Sequence, residues 1–156
     1  MTKDGLVKII SPRSFRRAFG VAYLPGLKWR APTYIAKVSE EVGYGLFACR
    51  RLRPGKIIGE YTGHLSRDWF AVIKKPSDMN PYLLKFPFKS TYAIDARKGG
   101  NETRFINHSS RHKNVRRACI LHEGMPRVIF IIAKAIPRHG QLLLDYGRNY
   151  RKMSPP

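Results

Sequence analysis

Along most of the chain the apolar positions come in short runs, some alternating with polar residues and some unbroken, with Gly or Pro between one run and the next. "TYIAKVS" alternates from Tyr34 to Val38 as a half-buried strand does, "EEVGYG" turns the chain, and "LFACRRL" begins a second extended run, so a β-hairpin is expected. In "RPGKIIGEYTGHL", Pro54-Gly55 makes a turn and Ile57 to Tyr61 the next strand. "TYAIDA" reads as a further short strand. "RVIFIIAKAI" is an unbroken apolar run rich in β-branched residues, which predicts a strand buried on both faces. "QLLLDYG" closes the fold. The segment best suited to a helix is "SRDWFAVIKK": Ser66 can cap it, Asp68 suits its positive end, and Pro76 stops it. Residues 1–30 sustain neither period. Their basic residues, Pro12 and Pro25, and separated glycines read as an N-terminal arm with one short strand, "LVKII". The pattern predicts a mostly β domain over residues 31–150, a short tail over 151–156 and no internal repeat.

Composition sharpens this picture. A chain of 156 residues with 43% hydrophobic content can bury a core of its own. Its 30 Lys and Arg against 10 Asp and Glu give a formal charge of +20, spread too evenly to be one tail, which draws the chain toward polyanions. Only Cys49 and Cys119 are present, without a C-x-x-C spacing, which argues against a structural zinc site or disulfide framework and for a reducing compartment. "MTKDGLVKIISPRSFRR" has no long apolar run, and no segment approaches the roughly 20 apolar residues of a membrane span. An intracellular protein without membrane contact is expected.

Four motifs follow in order: "GYGLFA" (43–48), "GEYTG" (59–63), "RFINHSS" (104–110) and "LLLDYGRNY" (142–150). Each alone is weak, since G-Y-G is commonly a tight turn and N-H-S a capped loop. Together, from about Val38 to Tyr150, they resemble the SET domain family of protein lysine methyltransferases. The resemblance implies several small β-sheets with a short helix, and a pseudoknot-like threading in which the "RFINHS" and "DYG" segments pass through one another. It also implies S-adenosyl-L-methionine as cofactor and a protein lysine as substrate, with no metal. Gly43, Tyr44 and Gly45 match the turn where backbone approaches the cofactor; glycine lacks a Cβ and reaches positive φ, while Tyr44 is first of all a packing residue. Asn107 and His108 match the polar pair that holds the cofactor, with Phe105 and Ile106 anchoring them. Tyr146 matches the tyrosine at the end of the lysine channel, where methyl transfer takes place. Tyr61 and Tyr82 match aromatic positions lining the channel or its approach, suited to an aliphatic side chain with a cationic head; the resemblance also implies that Tyr61 acts with Tyr146 in catalysis and that Tyr146 contacts the cofactor. Ordinary packing remains the alternative for Tyr82, and a satisfied buried histidine for His108.

Several positions depart from the family pattern. Leu144 stands two residues before Tyr146, where Phe or Tyr commonly limits the number of methyl groups, so di- or trimethylation is expected. His139-Gly140-Gln141 replaces the usual Gly-Glu-Glu turn, Ser110 replaces a frequent cysteine, and Lys113-Asn114 replaces Pro-Asn, which should loosen the loop. Six residues follow Tyr150 without a cysteine-rich segment, so Tyr150, Arg151, the final "KMSPP", the N-terminal arm or a second subunit in a homodimer would cover the site. This compactness resembles small bacterial and viral members, which implies a bacterial cytoplasm, or a host nucleus if the protein is secreted or viral. A basic enzyme repels a basic peptide. DNA or RNA contacted by "PRSFRR", "CRRLR", "RHKNVRR" and "RNYRK" would bridge it to a histone, a histone-like protein or a ribosomal protein, although an acidic substrate would be attracted directly. The competing reading is a catalytically weak SET-fold module that binds nucleic acid or nucleoprotein; methylation of a small molecule or of a residue other than lysine is a more distant one.

Overall fold

The computed structural model describes residues 31–66, 80, 82–85, 92–122 and 125–147. Ten strands occur among them: β1 (Thr33–Ser39), β2 (Gly43–Ala48), β3 (Ile57–Glu60), β4 (His64–Ser66), β5 (Leu83–Lys85), β6 (Ala93–Asp95), β7 (Asn107–His108), β8 (Val115–His122), β9 (Met125–Ile132) and β10 (Leu143–Leu144). One 3-10 turn, Glu102–Phe105, precedes β7. They form a β1-β2 pair, a five-stranded sheet in the order β3-β9-β8-β10-β7, and a three-stranded sheet in the order β4-β6-β5. The mostly β class and the several small sheets are as expected. The helix expected from Ser66 lies outside the described residues except for Ser66 itself, which ends β4.

The expected hairpin is β1 against β2, antiparallel, running from Thr33 opposite Ala48 to Ser39 opposite Gly43. Pro54-Gly55 turns the chain into β3, with Gly55 at φ 83°, the positive value that favours glycine at the third position of a type II turn. The apolar run in β9 is buried on both faces: Val128, Ile129, Phe130 and Ile132 are each at most 2% exposed. The "VRRACILH" strand, β8, was not expected, because the adjacent Arg116 and Arg117 read as a charge cluster; both are exposed, while Val115, Cys119 and Ile120 are buried.

The expected threading is present. β10 lies parallel between its two neighbours, with Leu143 and Leu144 opposite Asn107 and His108 on one side and Leu144 opposite Val115 on the other. Residues 109–114 join those two neighbours, so the C-terminal segment is inserted between two strands that follow one another in sequence. The Ser109 N–H donates to the Leu144 carbonyl at 3.0 Å and the Asn114 N–H to the Leu143 carbonyl at 3.0 Å.

The chain divides into two compact units interleaved in sequence. The first includes the described residues within Glu60–Asn101 and Ala118–Ile129, and holds the β4-β6-β5 sheet around Ala93, Ile94 and Ala96, none of them exposed. The second includes those within Lys28–Gly59, Glu102–Arg117 and Phe130–Pro156, with Leu46, Ala48, Ile106, Ile136 and Leu142 in its core.

Candidate functional site

In the second unit the hairpin delivers two glycines with different requirements. Gly43 has φ 74°, and a Cβ added there would meet nothing within 4 Å, so it needs glycine for its backbone and leaves open space beside it. Gly45 has no such φ, but an added Cβ would lie 2.7 Å from Gln141 Nε2, 2.8 Å from Val38 Cγ2 and 3.2 Å from Asn107 Nδ2. Its constraint is close packing. Tyr44 between them is 57% exposed and meets Phe105 edge-on, the ring centroids 6.4 Å apart.

Beneath this turn, Ile106 is 2% exposed and serves as the expected anchor. Phe105 is only half-buried; the Arg104 guanidinium covers its ring at 4.8 Å, because the 3-10 turn directs it toward Tyr44 and away from the core. Asn107 Nδ2 donates to the Tyr44 carbonyl at 3.1 Å, tying β7 to the glycine turn. That geometry leaves Asn107 Oδ1 to accept from a ligand cation, such as the ammonium of an amino acid.

His108 and Tyr146 are brought together by the threading. The Tyr146 backbone N–H donates to His108 Nδ1 at 3.0 Å, which puts the imidazole proton on Nε2, and the rings sit 5.3 Å apart. The Tyr146 hydroxyl donates to the Ile106 carbonyl at 2.5 Å. A phenol has one proton to give. With that proton engaged, the Tyr146 oxygen faces any further partner as an acceptor.

The turn carrying Tyr146 is itself held in place. Asp145 Oδ1 accepts from the Gly147 N–H at 2.9 Å, and Gly147 has φ 97°. Lys113 Nζ reaches Asp145 Oδ2 at 3.2 Å, so the residue standing for the family's proline ties the loop to this turn where loosening was expected. Asn114 adds two side-chain bonds, donating to the Gln141 carbonyl at 2.9 Å and accepting from the Leu143 N–H at 2.9 Å. Leu144 is 4% exposed and packs within the threaded segment. His139, where the family has glycine, adopts φ 62° and is secured by its N–H to the Ala48 carbonyl at 2.8 Å and by Tyr34 Oη at 2.9 Å from Nδ1.

The first unit carries the other two aromatic positions. Tyr61 is 6% exposed and its hydroxyl donates to the Tyr82 carbonyl at 2.6 Å, so it holds the Tyr82 backbone. The Tyr82 N–H in turn donates to Asn80 Oδ1 at 3.0 Å, and Asn80 Nδ2 donates to Asp95 Oδ1 at 2.8 Å. Arg97 closes the chain with its Nε and Nη2 on Asp95 Oδ2 at 3.2 and 3.0 Å. Partial burial pushes the Asp95 carboxyl up, but hydrogen bonds from the Arg97 side chain and backbone and from Asn80, with the Arg97 charge, hold it below its ordinary 3.8. In the same unit Glu60, fully buried, pairs with Arg127 at 3.1 Å, and Asn101 bonds the Glu60 carbonyl and the Thr62 hydroxyl.

Of the residues singled out in sequence, Gly43, Tyr44, Gly45, Asn107, His108, Leu144 and Tyr146 fall in one unit and are linked there, and Tyr61 and Tyr82 are linked in the other. Sequence reasoning missed Gln141 against Gly45 and the Asn80–Asp95–Arg97 network behind Tyr82. No local period marks such residues. Their only signal was a polar type beside apolar strands.

Comparison with known proteins agrees with this arrangement. The SET domain profile matches residues 43–147. The chain is 32% identical over 130 residues to the histone-lysine N-methyltransferase EHMT1 of Homo sapiens, covering 80% of this chain and 10% of that protein. It is 29% identical over 152 residues to the variant-silencing SET domain-containing protein of Plasmodium falciparum, covering 92% of this chain and 6% of that one. Among solved structures, Chaetomium thermophilum polycomb repressive complex 2 in an autoinhibited conformation bound to S-adenosylmethionine aligns with a TM-score of 0.68 at 25% identity, over 80% of this chain and 17% of that chain. The chain thus spans a tenth or less of these two curated relatives, both eukaryotic. Compactness is therefore no guide to its source.

Proposed function

The chain belongs to the SET domain family, and from that premise we propose that it is an S-adenosylmethionine-dependent protein-lysine N-methyltransferase acting on a protein associated with nucleic acid. The observation that carries the reading is the Tyr146 hydroxyl, committed as a donor to the Ile106 carbonyl beside the Asn107-His108 pair. The residues fit the cofactor: Gly43 leaves open space at the turn, and Asn107 Oδ1 suits the ammonium of its amino-acid end. Bound S-adenosylmethionine would supply a methyl group on a sulfonium, open to in-line attack by a neutral amine.

A lysine of ordinary pKa about 10.4 needs roughly 4 to 5 kcal/mol to be neutral at pH 7, and desolvation lowers that demand. Tyr146 Oη, limited to accepting, takes an amine N–H and turns the nitrogen lone pair away from itself. Its ring and backbone are fixed by His108, so orientation and electrostatics carry the catalysis without a triad. Within the first unit Tyr61 fixes the Tyr82 backbone, and an aromatic ring of the Tyr82 type suits an aliphatic stem with a cationic head. Leu144 adds no hydroxyl beside Tyr146, in keeping with di- or trimethylation.

Labelled cofactor incubated with nucleoprotein extracts should mark lysines, and mass spectrometry should identify them. Tyr146→Phe should lower the transfer rate by about 10²- to 10³-fold, the range for losing one oriented polar group at a reacting centre, while calorimetric cofactor affinity stays near wild type. A wild-type chain that binds no cofactor would end the enzyme reading and leave a SET-fold module without catalysis.

A further inference from the structure

One surface feature of the second unit lies outside the residues assigned above to methyl transfer. A cleft of about 280 Å³ is lined by Pro32, Arg50, Arg51, Leu52, Arg53 and Lys56. Leu52 is 2% exposed and is bridged to Ile136 by two backbone hydrogen bonds of 2.9 and 3.0 Å, so the flanking Arg51 and Arg53 are left facing outward by the alternation of extended chain. The Pro54-Gly55 turn brings Lys56 to the same rim. The bridge also lays "AKAIPRH" alongside, with Lys134 and Arg138 exposed on it. Neither 43–59 nor 128–144 contains an acidic residue. Among the described residues, no carboxylate forms an ion pair with any of these six cations.

We propose that this cleft holds the phosphate backbone of a nucleic acid duplex. The inference rests on the reading of the substrate as a protein on nucleic acid and names where that polyanion is gripped. Four cations within seven residues match a polymer that carries one charge per roughly 1.7 Å of axis. All four are exposed, and an exposed cation contributes little singly, so useful affinity requires many phosphates at once, which a single phosphopeptide lacks. A lipid surface is a poorer match because the cleft has no apolar side chain to insert: Leu52 is buried, and the large exposed apolar residues Ile35, Val38, Val42 and Tyr44 belong to the hairpin.

The test is fluorescence anisotropy of a short labelled DNA duplex over a salt series, with the full chain. Replacing Arg50, Arg51, Arg53 and Lys56 together by Gln should weaken binding roughly tenfold or more and reduce the log–log salt slope by about 3 to 4, near 0.9 per phosphate contact. A control variant loses the same charge at the exposed Lys98, Arg111, Arg116 and Arg117, and should keep most of the slope, because the proposal assigns the grip to the cleft and not to the "RHKNVRR" stretch. An Arg→Lys triple at 50, 51 and 53 should bind nearly as wild type, which separates charge from folding. Equal losses in the cleft and control variants overturn the proposal in favour of diffuse charge. So does a cleft variant that loses binding to phosphatidylserine vesicles but not to duplex. The kcat of methyl transfer to a saturating free peptide, measured on the same variants, reports separately on the enzyme and should be unchanged by the cleft substitutions.

Discussion

At the scale of single residues, two glycines two positions apart answer to different physics. Gly43→Ala should lower stability by about 1 kcal/mol, the penalty for a left-handed backbone with a Cβ, and Gly43→Asn should recover part of it. Gly45→Ala should cost more, about 1 to 3 kcal/mol of overpacking, since Gln141 and Val38 stand within 2.8 Å of the new atom. It should also weaken cofactor binding by displacing Asn107, whereas Gly43→Ala should weaken it by placing its methyl in the open space proposed for the cofactor. Denaturant midpoints and calorimetry separate the two effects. Asp95 gives a pH-dependent case. Its folded pKa lies below 3.8, so its stabilising contribution is complete above that value and is lost as pH falls through the lowered one. Asp95→Asn should therefore lower the Tm at neutral pH, with the gap from wild type closing below pH 3.8 in a thermal series.

At the scale of elements, the threaded strand depends on side chains as much as on its two-residue ladder. β10 is too short to hold itself, and Asn114 bonds it before and at its first residue. Asn114→Ala should destabilise the chain by about 2 kcal/mol, two side-chain bonds at roughly 1 kcal/mol each. It should also lower the transfer rate, because Tyr146 and His108 meet only while β10 stays between its neighbours; Lys113→Ala, removing one half-exposed ion pair, should do far less. Local pattern was enough for β1, β2, β3 and β9, where alternation or an apolar run reports burial directly. It failed at β8, whose paired arginines mask its buried Val115, Cys119 and Ile120. The threading has no local signature either, since parallel pairing of residues 107–108 with 143–144 joins segments 36 residues apart, and it was legible only through the resemblance. Resemblance also located Asn107, His108 and Tyr146. It could not show that Tyr61 is buried and turned to the Tyr82 carbonyl, a contact set by packing rather than by motif.

At the scale of the whole chain, the proposed activity makes the charge of +20 the expected selector of which substrates approach. Repulsion between the enzyme and a cationic peptide acts over a Debye length of about 10 Å at 0.1 M salt and shrinks as salt is added. Attraction to a nucleoprotein has the opposite salt dependence, because each phosphate contact releases counterions whose return salt favours. Opposite slopes are therefore expected from one active site: kcat/KM on a free lysine-rich peptide should rise with ionic strength, and on the same sequence presented on DNA it should fall. Because kcat at saturation reports the chemistry at Tyr146, it should move little in either series, placing the effect in encounter rather than transfer. Parallel slopes for the two substrates would show that the surface charge does not select between them, and the substrate would then have to be recognised by contacts around its lysine alone.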